Sequence, residues 1–169
     1  MDLDILNNHI YAKGGLTVAE SFSAPSGSIT NAMIVAAAGI SASKLQRRIT
    51  VRVSQMSGLP ADSGSWIVHV CRGTGTLQAL ECVVDTLGVS DASLAVDLRK
   101  STGGAAFASV LTADVDMSTQ AVRTVVAGTF DDDELVDGDI LQIVIQASPN
   151  AGTLPQGLCV VLTLDEAAQ

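Results

Sequence analysis

Aromatic residues are scarce in this sequence: one Trp, one Tyr and three Phe make up 3% of its 169 residues. Ligand-binding grooves are typically lined by aromatic side chains, so the shortage argues against a carbohydrate-binding groove. Charged residues are also few, at 16%, whereas 47% of the residues are hydrophobic. A chain of this length buries roughly 70% of its unfolded surface. We therefore expect a folded core filled by Val, Leu, Ile and Ala.

Cations are the second shortage. Nine Lys and Arg stand against eighteen Asp and Glu, which gives a net charge of -9 and a pI near 4.3. Nucleic acids and anionic membranes both require clustered cations, so we expect neither as a partner. The charge is also uneven, because residues 124–169 carry eight acids and no base.

Only three cysteines occur, and each lies in an apolar run without Cys-x-x-Cys spacing: Cys71, Cys82 and Cys159. Free Cys behaves as a small hydrophobe, so we predict buried free thiols, with a disulfide as the alternative. The N-terminus lacks a signal peptide's cationic start and apolar segment, and no run reaches the ~18 apolar residues of a membrane span. We expect neither a secretory signal nor a membrane span.

Histidine is equally rare, with His9 and His69 alone. A metal site needs several converging ligands, and the sequence also has no Gly-x-Ser-x-Gly nucleophile motif. We therefore expect no catalytic residue, no metal site and no cofactor, and we predict that the protein is not an enzyme. His69 is interpreted as a hydrogen-bonded residue of a β-sheet.

The densest carboxylate cluster is the segment from Asp131 to Asp139, with the sequence DDDELVDGD. Its spacing does not match the calcium loop D-x-[DN]-x-[DN]-G-x₅-E, although calcium binding stays open as an alternative. The favoured interpretation is a solvated turn in which Gly138 supplies a positive φ before the next strand.

Residues 1–43 differ in character from the rest. They combine Gly, Ser and Ala with apolar residues at irregular spacing, and no single element buries such residues on one face. We interpret this segment as an extended N-terminal arm that binds a partner chain. Its candidate contact residues are Leu3, Ile5, Ile10, Tyr11 and Phe22.

From residue 44 onward the hydrophobic period becomes two, as in half-buried β-strands. Turn residues separate the strand candidates, and no amphipathic helix pattern follows. We predict an all-β protein whose residues 44–169 form an antiparallel β-sandwich of the jelly-roll type with about eight strands. An immunoglobulin-like sandwich fits less well, because Trp66 precedes all three cysteines. The predicted strands are 45–54, 66–71, 77–86, 93–100, 106–115, 123–130, 140–147 and 158–164.

One basic cluster begins the sandwich: Lys44, Arg47, Arg48 and Arg52. On a strand, Arg48 and Arg52 share a face. A solvated strand face is the favoured interpretation, and contact with an acidic partner is the alternative. The residues Arg47, Arg48 and Arg52 therefore join the arm residues as candidates for a capsid or subunit interface.

Three features stand out in the sandwich region. They are Ser93-Leu-Ala-Val-Asp-Leu-Arg-Lys100 with the Gly-Gly turn and Ser109-Val-Leu111 that follow, Leu135-Val-Asp-Gly-Asp-Ile-Leu141, and Gly157-Leu-Cys-Val-Val-Leu162. Through these features residues 45–165 resemble the jelly-roll decoration, or cement, proteins of tailed-bacteriophage capsids and related head-fibre domains.

The resemblance implies a homotrimer on the outer surface of an icosahedral phage head, made in the host cytoplasm and located in the virion. It implies an arm that grips the major capsid protein and a sandwich that bridges capsomers. The alternative function is a carbohydrate- or receptor-binding module of a virion fibre. The low charge of the chain independently favours a trimer, in which the acidic C-terminal third meets the basic strand of a neighbouring copy.

Overall fold

A computed structural model describes residues 3–6, 9–12 and 46–167. All regular secondary structure in those ranges is β-strand, and no helix occurs there. The strands are β1 (Leu3–Leu6), β2 (His9–Ala12), β3 (Gln46–Ser54), β4 (Gly64–Val70), β5 (Gly75–Val83), β6 (Ser93–Ser101), β7 (Ala108–Ser109), β8 (Val115–Asp116), β9 (Val126–Ala127), β10 (Glu134–Leu135), β11 (Ile140–Ser148) and β12 (Cys159–Ala167).

Strands β3 to β12 form two antiparallel sheets. Sheet 1 has the order β10-β5-β12-β3, with β9 also paired to β5. Sheet 2 has the order β4-β11-β6-β7, with β8 also paired to β6. Strands β3, β4, β5 and β6 alternate between the sheets, and so do β11 and β12. Each sheet holds four strand positions, which is the arrangement of an eight-position jelly roll. The predicted fold class is therefore confirmed.

Aliphatic side chains fill the space between the sheets. Along β12 the residues Val160, Leu162 and Leu164 are fully buried, and they alternate with half-buried residues on the outer face. Leu98 on β6 and Ile143 on β11 are fully buried from the opposite sheet and belong to the same core. This alternation is the period-two pattern that the sequence predicts.

Two of the predicted strands are interrupted. The segment 106–115 contains only β7 and the first residue of β8, and Leu111 between them forms an isolated bridge to Phe130. The segment 123–130 contains only β9, and β10 lies in the stretch expected to be an acidic turn. Six long strands and four short ones thus occupy the eight positions. The short strands lie at the side of each sheet opposite β3 and β4.

Glycine conformations match the predicted turns. Gly103 and Gly104 have φ of 60° and 80°, and the Ala105 N–H donates to the Thr102 carbonyl at 3.1 Å. Positive φ at both central residues is the signature of a type I′ hairpin turn. Gly138 has φ of 85° and precedes β11 by one residue, as expected for the acidic segment.

The chain divides into two compact units, Met1–Ile40 and Ser41–Gln169. In the first unit, β1 and β2 pair antiparallel, with Ile5 opposite Ile10. The rest of the predicted arm and the boundary predicted at residues 43 and 44 lie outside the described residues.

Truncation of a central core residue tests the packing between the sheets. Leu162 is fully buried on the strand that pairs with both β3 and β5. Leu162→Ala is expected to lower the free energy of unfolding by about 2–5 kcal/mol, because it leaves a cavity. Urea unfolding followed by circular dichroism measures the change. The control Val136→Ala, at a side chain that is 46% exposed, should change stability by less than about 0.5 kcal/mol, and equal effects of the two would contradict the assigned core.

Candidate interaction surfaces

Three residues of the basic cluster lie on an edge strand of the sandwich, and Lys44 lies outside the described residues. Among the strands that the structure describes, β3 pairs with β12 along one side only, so its other side is an edge of sheet 1. Arg47, Arg48 and Arg52 are all exposed on this strand. An edge strand presents unpaired backbone N–H and C=O groups, and charged side chains keep such an edge from pairing with other strands.

Arg48 has its acidic partner within the same chain. Its Nε and Nη2 donate to the two carboxylate oxygens of Asp165 at 2.9 and 3.0 Å. The hydrogen bond to Arg48 lowers the pKa of Asp165. In residues 46–167, Arg47 and Arg52 form no ion pair. Contact with an acidic partner is the alternative interpretation of the basic cluster, and Arg48 makes such a contact with Asp165 on the adjacent strand β12. The role of the three arginines in a capsid or subunit interface stays a prediction.

A buried polar cluster joins the two sheets where β4 and β12 end. Nε2 of His69, in sheet 2, lies 2.9 Å from Oε2 of Glu166, in sheet 1. The backbone N–H of Arg72 donates to the other oxygen of this carboxylate. Glu166 is 2% exposed, and a buried carboxylate is costly unless it is hydrogen-bonded. The prediction that His69 is a hydrogen-bonded sheet residue is confirmed.

The acidic segment from Asp131 to Asp139 lies at the same end of the sandwich. Asp139 is 1% exposed, and its carboxylate accepts hydrogen bonds from the Thr102 hydroxyl at 2.7 Å and the Val136 N–H at 2.9 Å. Lys100 donates to Asp132 at 2.6 Å. In the part of the chain that the structure describes, no three His, Cys, Asp or Glu side chains are grouped to hold a metal ion. These contacts support a structured turn.

The three cysteines are free thiols. Cys71 and Cys82 are fully buried, as predicted, whereas Cys159 is half-buried on the outer face of sheet 1. Burial, together with the nearby carboxylate of Glu166, raises the pKa of Cys71 to about 11. Burial raises the pKa of Cys82 to about 12. Both therefore act as apolar core residues.

The candidate contact residues of the arm have no tested role. Leu3 and Ile5 lie on β1, and Ile10 and Tyr11 lie on β2. Phe22 lies outside the described residues. Glu166 is not among the predicted residues, although its position at the end of an alternating strand marks it as inward-facing. The exposed apolar residues of loops 55–63, 84–92 and 117–125 are not among them either.

No helix in the described ranges is long and apolar enough to cross a membrane. No family model matches the chain, and no curated protein matches it. Among solved structures, the chain is similar to one described as "Structure of infectious bursal disease virus Gt strain", with 14% identity and a TM-score of 0.34. The match covers 75% of this chain and 37% of that chain. That structure is described as one of a virus and not as a tailed-phage decoration protein.

The His69–Glu166 contact generates a stability prediction. His69→Ala removes the imidazole that the buried carboxylate contacts, and it is expected to cost about 1–3 kcal/mol of unfolding free energy. The same substitution in a Glu166→Gln background should cost less, since the uncharged amide needs its partner less. Guanidinium unfolding of the four proteins gives the coupling energy. Equal costs in both backgrounds would show that the contact does not tie the sheets.

The cysteines generate a reactivity prediction. At pH 8 a thiol of pKa near 11 is ionised to only about one part in a thousand. Iodoacetamide should therefore label Cys159 first in the folded protein and reach Cys71 and Cys82 only after unfolding. Peptide mass spectrometry over time measures the order, and Cys159→Ser is the control. Labelling of Cys71 in the folded protein as fast as Cys159 would contradict the assigned burial.

Proposed function

We propose that this protein is a capsid decoration, or cement, protein that binds the outer surface of an icosahedral phage head. The observation that carries the proposal is a complete jelly roll with an edge strand next to the arm. Its first strand, β3, is an edge strand among the described strands, and it follows in sequence on residues 1–43, which contain the apolar candidate contact residues. Jelly rolls serve as viral capsid and lectin domains. A binding role, without catalysis, is part of the same proposal.

The protein has two partners in this proposal, the major capsid protein and further copies of the same chain. The arm supplies apolar anchors for a groove in the shell, and an extended segment can add backbone hydrogen bonds at a sheet edge. Arg47 and Arg52, which form no ion pair within residues 46–167, can meet acidic groups of the shell. Each Å2 of apolar surface buried at a contact contributes about 25 cal/mol. The sum over many contacts, less the cost of association, would hold neighbouring capsomers together.

The second candidate is a carbohydrate- or receptor-binding module of a virion fibre. One observation favours it: Trp66 on the edge strand β4 is 36% exposed. Its ring also lies over Gly64, where an added Cβ would come within 2.5 Å of the indole. One ring face is therefore occupied by the protein itself, and a sugar would have to stack on the other. A glycan array with the full chain tests this candidate.

Deletion of residues 2–30 tests the proposed anchor. The full chain should co-sediment with empty shells purified from the virus that encodes it, and it should raise the temperature at which they open. The deletion variant should lose co-sedimentation while the thermal unfolding of its β-sandwich stays nearly unchanged, because the two units are separately compact.

Arg52→Glu in the full chain is the matched control for a second anchor on β3. Unfolding of the deletion variant would place the arm in the sandwich core. Full binding by the deletion variant, together with lost binding by Arg52→Glu, would move the anchor to the Arg47–Arg52 face. A full chain that never binds shells would refute the decoration function.

A further inference from the structure

Exposed apolar side chains are concentrated at one end of the sandwich. Ten large apolar residues are exposed in the described part of the chain, and six of them lie on loops at the end where β3 finishes and β12 begins. We call this the apolar end; its loops are 55–63, 84–92, 117–125 and 149–158. The six residues are Met56 (71% exposed), Leu59 (54%), Leu87 (37%), Val89 (63%), Val122 (41%) and Val125 (58%).

Backbone hydrogen bonds hold these loops together. The N–H of Ala61 donates to the Pro155 carbonyl at 2.8 Å, and Val89 and Thr153 exchange two bonds of 2.8 and 3.0 Å. The Arg123 N–H donates to Val84 at 2.9 Å, which joins the third and second loops. A preformed surface loses less conformational entropy on binding than a mobile one.

A glycine makes this close packing possible. A Cβ on Gly152 would lie 2.0 Å from the carbonyl oxygen of Val89. The loops at 84–92 and 149–158 therefore approach each other more closely than they could if position 152 held any residue with a Cβ atom.

The apolar end carries few charged residues. Asp85 accepts a hydrogen bond from the Ser57 hydroxyl at 2.8 Å and from Arg123 Nε at 2.9 Å. These contacts, that from Ser57 first, lower the pKa of Asp85. The loop 149–158 carries no charged residue. Asp62 and Asp91 are the remaining acids of the four loops.

The opposite end carries the acidic segment from Asp131 to Asp139 with its six carboxylates. In a chain of net charge -9, like charges oppose most encounters between copies. Contact through the apolar end is the orientation that keeps the acidic segments of two copies farthest apart. Exposed apolar patches beyond a few hundred Å2 commonly mark sites of association.

We infer that the apolar end is the surface through which copies of this chain bind one another, with Met56 and Val89 contributing buried apolar contacts. The inference goes beyond the proposed function, because it names the homomeric contact, and it is tested in solution without any shell. Its failure therefore leaves shell binding untouched.

Val89→Asp is the principal test, and Ile67→Asp is its matched control. Val89 and Ile67 are 63% and 62% exposed, but Ile67 lies on β4, outside the apolar end. Sedimentation equilibrium of the full chain at micromolar concentrations should show an oligomer. Val89→Asp should weaken association by at least about ten-fold, because a carboxylate is desolvated at the contact, whereas Ile67→Asp should leave it unchanged.

Met56→Asp is a second variant that should give the same result, and circular dichroism verifies that each variant is folded. A wild-type monomer at all concentrations, or unchanged association of both apolar-end variants, would overturn the inference. Wild-type protein that floats with phosphatidylcholine vesicles and does not self-associate would also overturn it and would assign the apolar end to a lipid surface.

Salt distinguishes this contact from the pairing of the acidic segment with the β3 arginines. At about 1 M salt the Debye length falls to about 3 Å, which screens exposed charges. Association through the apolar end should persist or strengthen. Dissociation at high salt, with insensitivity to Val89→Asp, would instead assign the contact to the charged surfaces.

Discussion

Branched aliphatic side chains from both sheets fill the interior of this sandwich, and the other features depend on that packing. Leu98, Ile143 and Leu162 are fully buried, in a chain with only five aromatic residues. An aliphatic side chain buries less apolar area than an aromatic one, so this core needs many of them at alternating positions of long strands. The six long strands of nine or seven residues supply this regularity, and function is left to the loops and edges.

The two open edges of the sandwich are protected in different ways. On β3, Arg48 and Arg52 extend from the outer face, and a two-fold pairing of this strand with itself about Thr50 would place these cations opposite each other. On β4, the register with β11 shifts between Leu141 and Gln142, so Val68 has no partner there. Charges and bulges are the devices by which sheet proteins avoid uncontrolled edge pairing. Association by plain strand addition between copies is thus disfavoured.

The two ends of the jelly roll differ in chemistry because the strands deliver different loops to each. At one end, His69, Glu166 and Asp139 form hydrogen-bonded contacts among acidic loops. At the other end, hydrogen-bonded loops present apolar side chains with a single paired cation, Arg123. The division gives the sandwich two chemically distinct ends, one rich in carboxylates and one rich in exposed apolar side chains.

The sequence by itself determined the class of fold, the six long strands and the turns at Gly103–Gly104 and Gly138, because period-two alternation and positive-φ glycines are local signals. It also determined the burial of Cys71 and Cys82, which lie in apolar runs. It did not reveal that two strand positions are interrupted, since short strands depend on what packs beside them.

Tertiary structure alone decided the candidate surfaces. The pairing of Arg48 with Asp165 spans 117 positions, and that of His69 with Glu166 spans 97. Which partners meet is set by strand register, and a slip of one residue reverses the face of every side chain. The six residues of the apolar end come from three loops spread over seventy positions, and only the crossing of the chain between two sheets brings those loops together.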